Sequence, residues 1–595
     1  MKRLFNIIVL CSVIFSIFFF TACGNDHNPT PNPPPNNNNN IQIDVDYGQN
    51  EIEDVTPTYT SIIESTTALE ESITQEQRNT SLPEEYTLNE YSITTAGNYY
   101  FSGNIENNAI TVAKNVGSVH IFLDNVTLSV DGKNAIETKK GAFVTITPIG
   151  ENFLSNTGTA KHIIDSKESL TINGNGVLSI NSTKSAIVCD DTFFGLGGIL
   201  NIVASNHCVV ADTICIDGTT INVDSCGKDI LHAESNYDKV ETAPDFSFNC
   251  GFVYIVDGTI NTTTVLGDGI EADSFVYIKD GTFNITTTPT WNDRYRANAH
   301  HESGMYKTNT HEKVPREIVR MGLTYAKLEE SVKGIKVGEI DYYLTTDTNK
   351  ENKLTVESSY YTIIIEGGDF NINTVDDSIH TNSGSTLICG GNFVINTSDD
   401  GIQADTNLKI AESPVIEIQS CFEGLEAQTI DISGGIITIT AINDGINATN
   451  SNLTETQQKN ICQVNVSGGT LDITVGPSGD KDGIDSNGGI KITGGTLIVR
   501  GPNHQNTSPI DVATAVSITG GIVIIIGKAP GTGDHIGIMD ADPLYTTLIK
   551  TQSSNNGLSY GEHTVTIENT TISYSNEYDY GGYTTVYANK KAVIN

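Results

Sequence analysis

Four acidic boxes recur at a nearly fixed interval: Asp376-Asp377-Ser378-Ile379-His380, Asp399-Asp400-Gly401-Ile402-Gln403, Cys421-Phe422-Glu423-Gly424-Leu425-Glu426 and Asn443-Asp444-Gly445-Ile446-Asn447. Their aliphatic positions, Ile379, Ile402, Leu425 and Ile446, are 23, 23 and 21 residues apart. If each interval is one turn of a coiling chain, Asp376, Asp377, Asp399, Asp400, Asp405, Glu423, Asn443 and Asp444 are stacked turn upon turn. Carboxylates held that closely repel one another unless protonated or bridged by a cation. With oxygen donors and no nearby His or Cys cluster, the expected cation is calcium rather than zinc or iron. Asp-Gly and Asn-Gly are also ordinary turn formers, so a single box reads more simply as a turn. Four in register favour a metal. Asp268 and Asp482 carry the same box on more distant turns.

The elements that must position these acids come from an internal repeat. A Gly-Gly or Asp-Gly turn followed by alternating apolar residues appears at Gly367-Gly368, Gly390-Gly391, Gly434-Gly435, Gly468-Gly469, Gly494-Gly495 and Gly520-Gly521, and earlier at Asp217-Gly218, Asp257-Gly258 and Asp280-Gly281. A second column runs through Ile136, Ile163, Ile187, Val209, Ile230, Ile270, Ile335, Ile379, Ile402, Leu425, Ile446, Ile484 and Ile510. Short β-branched strands at such a period define an all-β solenoid of stacked coils, each too small to bury its apolar face alone. At roughly 4.8 Å per coil, about 14 coils extend on the order of 65 Å. A β-propeller needs a repeat about twice as long. Alternation points Ile402 and Ala404 inward and Gln403 and Asp405 outward. Caps are expected at both ends, over Tyr91–Ser129 and after Asp542, because an open coil exposes unpaired edges.

The 595 residues carry 33 Lys or Arg against 72 Asp or Glu, a net charge of −39, which disfavours a nucleic-acid partner. Lys2 and Arg3 precede an apolar run and then Thr21-Ala22-Cys23-Gly24, so residues 1–22 read as a signal peptide and Cys23 as a lipidated N-terminus. The expectation is an exported lipoprotein held to a membrane, at the cell surface or in the periplasm. Residues 23–90 read as a stalk, first Asn- and Pro-rich, then with 12 acidic residues and only Arg78 between Ile41 and Glu90, hence self-repelling and extended. The solenoid is expected over 91–545 and C-terminal cap strands over 546–595. None of the ten cysteines forms a Cys-x-x-Cys pair, and most lie on apolar strands as small buried side chains.

Boxes such as Asp399-Asp400-Gly401-Ile402-Gln403-Ala404-Asp405, Glu423-Gly424-Leu425-Glu426-Ala427 and Val332-Lys333-Gly334-Ile335-Lys336, separated by Gly-Gly turns, resemble those of a bacterial carbohydrate-binding domain family. That family is typified by a clostridial cellulose- and pectin-binding β-helix. The resemblance spans roughly Tyr91 to Ile549. It implies a right-handed, single-stranded parallel β-helix of pectate-lyase-like form, with bound calcium, that binds polysaccharide. The chain departs from the pattern where Ser378 replaces the box glycine and where Cys421 and Phe422 precede Glu423.

Residues 291–336 do not repeat. They hold nine Lys or Arg against six Asp or Glu, a basic island in an acidic chain. Val314, Ile318, Met321, Tyr325, Leu328 and Val332 fall at helical spacing, which predicts an amphipathic helix packed on the solenoid. The sharper reading is a carboxylate-binding insert, since Arg pairs bidentately with uronates. Arg294, Arg296, Lys333 and His380 are the expected ligand contacts. Three functions are weighed: a non-catalytic polysaccharide binder, a calcium-dependent lyase with a lysine such as Lys333, Lys409 or Lys481 as base, and a structural adhesin. An inverting glycoside hydrolase needs only a suitably spaced carboxylate pair.

Overall fold

The computed structural model describes residues 69–234, 251–287, 332–338, 361–528 and 548–595, less a few single positions, with short strands inside the intervening stretches. All of them belong to one compact unit, Asp54–Asn595. Among the described residues thirty-five strands join in one sheet whose neighbours, apart from the C-terminal Ile549–Ser553 and Tyr583–Ala588, pair in parallel, coil upon coil, through about 15 turns. The box column runs unbroken through Ile110, Ile136, Ile164, Ile187, Val209, Leu231, Ile270, Ile335, Ile379, Ile402, Leu425, Ile446 and Ile484, each the direct partner of the next. Ile510 continues it through a single bridge.

Two members differ from the expected column: Ile164 stands where Ile163 was expected, and Leu231 where Ile230 was. Both sites carry adjacent buried aliphatics. Alternation cannot choose between such neighbours, and a one-residue slip exchanges the faces of everything after it.

Like residues stack inside the coils. Phe283, Phe370 and Phe393 lie face to face, with centroids 4.6 and 4.4 Å apart, close to the inter-strand spacing that the repeat demands. The box glycines mark a corner where successive coils nearly touch. A Cβ on Gly424 would lie 2.3 Å from the carbonyl oxygen of Gly445. Ser378, the exception, is fully buried with its hydroxyl 3.1 Å from that of Thr374.

The described end of the acidic stalk is not extended. Leu69 and Ile73 pack onto outward-facing Phe194, Phe252, Tyr254, Phe275, Tyr277, Ile364 and Leu387. The helix Gln75–Arg78, capped by Thr74, follows. Arg78 pairs with Asp217 at 2.8 Å, Glu70 with Lys279 at 3.4 Å and with the Tyr254 hydroxyl, and Gln77 donates to Thr171 at 3.0 Å. Self-repulsion yields here because the strip beneath is aromatic and the acid finds partners.

At the other end, Tyr583–Ala588 pairs antiparallel with Ile522–Gly527, covering the last coil. Buried Arg500 joins this cap to the solenoid through Asp472 and, at 3.0 Å, Asn576. Within the basic insert, Trp291–Asn292 pairs with Lys327–Leu328, and Met305–Lys307 with Lys313–Pro315, both antiparallel. Val314 and Leu328 are thus strand residues, not part of the predicted helix, whose other positions, Val332 apart, lie outside the described residues. Val332 is fully buried beside the box of Lys333. The helical spacing there misled because alternating and helical patterns coincide over so few apolar positions.

The fold makes a direct prediction. Phe370→Ala empties the middle of a ring stack and is expected to cost about 3–5 kcal/mol, whereas Phe143→Ala, at a half-exposed ring, should stay within about 0.5 kcal/mol. Chemical denaturation of both variants checks the difference.

Candidate functional site

Each box places two side chains on the outside of its corner, one two residues before the column aliphatic and one just after it. The first row reads His207, Asp229, Asp268, Lys333, Asp377, Asp400, Glu423, Asp444 and Asp482. The second reads His232, Glu271, Lys336, His380, Gln403, Glu426, Asn447 and Asp485, each paired in register with the next.

The first row is tied to the backbone. In six of these acids one carboxylate oxygen accepts the amide N–H of the next coil: Asp229 from Asp268 at 2.7 Å, Asp268 from Lys333 at 2.6 Å and Asp377 from Asp400 at 3.0 Å. The same bond joins Asp400 to Glu423 at 3.3 Å, Asp444 to Asp482 at 2.6 Å and Asp482 to Ser508 at 2.5 Å. These charge-assisted bonds satisfy a corner amide that the parallel ladder leaves without a strand partner. One oxygen of each of these six acids is thus structural, and the ligand reading rests on the other.

Charge compensation differs along the row. In the earlier coils Lys333 Nζ lies 2.7 Å from Asp376 and 3.1 Å from Asp377, and Lys336 Nζ 3.2 Å from Asp268 and 2.5 Å from Glu271. Burial pulls both lysine pKa values down, but the carboxylates outweigh it and hold the ammonium groups charged above their usual range. In the later coils burial, and then neighbouring carboxylates, push Asp400, Glu426 and Asp444 well above the ordinary carboxyl range. Asp485 is pushed up to about 7, by burial first and then by Asp511.

Amides thread these acids. Asn443 donates to Glu423 and Asp444, both at 3.0 Å, Asn447 donates to Glu423 at 2.8 Å, and Gln403 donates to Asp405 at 3.0 Å. The oxygens of two of these amides, Gln403 Oε1 and Asn447 Oδ1, are buried without a hydrogen-bond partner, one coil to either side of Glu426. A buried oxygen left so is costly unless something electropositive sits against it. Oxygens of Asp376, Asp377 and Asp399, and again of Asp400, Glu423 and Glu426, come within 4.8 Å of one another. A shallow pocket lined by Gln403, Asp405, Glu426, Thr449 and Asn450 opens this end of the row to solvent.

Of the residues predicted from sequence, Asp376, Asp377, Asp400, Glu423, Asn443 and Asp444 are buried in this array, Asp399 is half-buried and Asp405 stands at the pocket rim. Lys333 and His380, expected at a ligand surface, are instead 3% and 2% exposed and lie against Asp377, Lys333 Nζ at 3.1 Å and His380 Nδ1 at 2.7 Å. Lys333 serves there as an internal counter-charge, since the acids it faces have no water to solvate them. Arg294, Arg296 and Cys23 lie outside the described residues. Gln403, Glu426 and Asn447 were missed as donors: alternation sends them outward, yet neighbouring coils bury them to 1%, 1% and 6% exposure. Their signal was readable in the unbroken run of polar residues just after the box aliphatic.

A parallel β-solenoid bearing a buried, coil-spanning acid row is the class that fold and site define. The family model described as "Carbohydrate-binding domain-containing protein" matches residues 88–401 and again 399–595. The chain belongs to that family, and its role is carbohydrate binding. No curated protein and no solved structure matches it.

The raised carboxyls set a pH dependence. In the unfolded chain Asp and Glu titrate near pH 4, so between about pH 4 and 7 the folded protein holds the extra protons. Stability is therefore greatest below that window and falls as pH rises through it, by up to about 1.4 kcal/mol per pH unit for each such group. Thermal unfolding in EDTA should show a midpoint descending across this range. A rising midpoint would contradict the assignment.

Proposed function

We propose that this chain is an exported lipoprotein, anchored through Cys23, whose solenoid holds calcium and binds cellulose or an acidic, pectin-like polysaccharide without cleaving it. The observation that carries the calcium reading is the pair of unpartnered buried oxygens, Gln403 Oε1 and Asn447 Oδ1, flanking Glu426. Carboxylate and amide oxygens together form the hard donor set that calcium prefers. Asp400, Glu423, Glu426, Gln403 and Asn447 would hold one ion, and Asp376, Asp377 and Asp399 are the acids of a second position. When bound, calcium neutralises the row and offers a charge to uronate carboxylates or sugar hydroxyls. The pocket beside Gln403 and Asp405 gives the route from solvent.

The non-catalytic reading is supported by Lys333. Of the three lysines that a β-elimination could recruit as base, Lys333 is buried and ion-paired to Asp376 and Asp377, away from any substrate. The −39 charge keeps nucleic acid an unsuitable partner.

Sedimentation with insoluble cellulose, and retention on immobilised pectate and mucin glycans, each with calcium and with EDTA, tests the proposal. Retention on pectate with calcium and its loss in EDTA are expected, with no rise in unsaturated-uronate absorbance. Binding indifferent to EDTA removes calcium from the mechanism, product absorbance establishes the lyase, and no binding to any glycan leaves the adhesin. Glu426→Gln should weaken calcium-dependent retention at least roughly tenfold while relieving repulsion in the metal-free protein.

A further inference from the structure

Earlier in the same two rows the donor chemistry changes. His207, Asp229, His232 and Glu271 stand on three successive coils. Asp229 Oδ1 is occupied by the Asp268 amide at 2.7 Å, leaving Oδ2 between two imidazoles, 3.0 Å from His207 Nδ1 and 3.0 Å from His232 Nδ1. Glu271 Oε2 approaches the same His232 Nδ1 at 2.8 Å, while its Oε1 is taken by Lys336 at 2.5 Å. The rings lie 4.6 Å apart at 36°, and the two side chains are only 12% and 16% exposed.

Both Nδ1 atoms are buried, and neither meets a partner with hydrogen-bond geometry despite these short approaches. A single proton on His232 Nδ1 also cannot point at two carboxylate oxygens at once. Convergence without directed hydrogen bonds is what a set of metal donors displays. Ligands 2.0–2.1 Å from zinc lie roughly 3.3 Å apart in a tetrahedron. The two imidazole nitrogens, each 3.0 Å from Asp229 Oδ2, and Glu271 Oε2, 2.8 Å from His232 Nδ1, need open by only a few tenths of an ångström along those three approaches. The remaining nitrogen of His232 faces Glu234 Oε1 at 3.4 Å, the outer carboxylate that commonly orients a metal-bound imidazole. Glu234 in turn lines an open cleft with Val210, Ala211 and Asp212, which gives a metal its way in.

We propose that His207 Nδ1, His232 Nδ1 and Asp229 Oδ2, with Glu271 beside them, form a site for zinc or a similar divalent transition metal. It is separate from the oxygen-only positions around Glu426. Two imidazoles with carboxylates suit such metals and suit calcium poorly. The histidines are 25 residues apart in sequence but adjacent across one coil boundary.

Cobalt(II) titration of the EDTA-stripped full chain tests this. One equivalent should bind with the visible absorption of tetrahedral nitrogen- and oxygen-ligated cobalt, be displaced by zinc and persist in excess calcium. His207→Gln and His232→Gln should each weaken binding at least roughly tenfold, and Phe143→Ala, at an exposed ring, should leave it unchanged. Absence of the tetrahedral spectrum in the wild-type chain, or wild-type binding retained by both histidine variants, overturns the proposal. The wild-type spectrum alone decides it if a variant fails to fold. Because the readout needs neither glycan nor calcium, its failure is distinguishable from failure of the carbohydrate reading.

Discussion

Everything in this molecule depends on coils stacking in exact register, and the bond that holds register at the corners runs from a backbone amide to the carboxylate one coil earlier. Strand ladders alone fix spacing, but a β-strand side-chain period of two leaves each coil free to slip. The Asp229-to-Asp268 and Asp444-to-Asp482 bonds remove that freedom, because a slipped coil would leave both a buried amide and a buried carboxylate unsatisfied. Corner glycines such as Gly424 add a steric limit from the other side.

That solution creates the chemistry. An acid recruited to each corner becomes, after stacking, a column of negative charge in a poorly solvated place. The chain answers in two ways. Around Lys333 and Lys336 it supplies its own cations, and around Glu426 it supplies amides whose oxygens add to the negative potential. The first stretch draws part of its compensation from its own lysines; the second is where we propose a cation from outside. Structural need and binding capacity thus arise from the same residues.

How far this was legible in the sequence follows from the range of each interaction. Parallel coils, their number and eleven of the thirteen expected column positions were readable because they depend on local alternation and on a repeat interval. Ile163 and Ile230 failed where two aliphatics were adjacent. The acids were readable as a set, since they share the box. What each acid faces was not readable, because Lys333 reaches the next box and His207 meets His232 only once coils stack. Burial of Gln403 and Glu426 was equally hidden: a residue pointing away from the core is exposed on a lone strand but covered when neighbouring coils close over it.

The segment from Leu69 to Asn79 lies across several coils, bonding in turn to Tyr254, Lys279, Thr171 and Asp217. In mechanical terms, any tension on the chain upstream of it enters the solenoid through its flank rather than through its first strand. The load is divided among separate coils before the terminal coil feels it. Parallel coils resist shear better than they resist being unzipped from an end, so this sideways attachment lets the repeat bear force without unravelling.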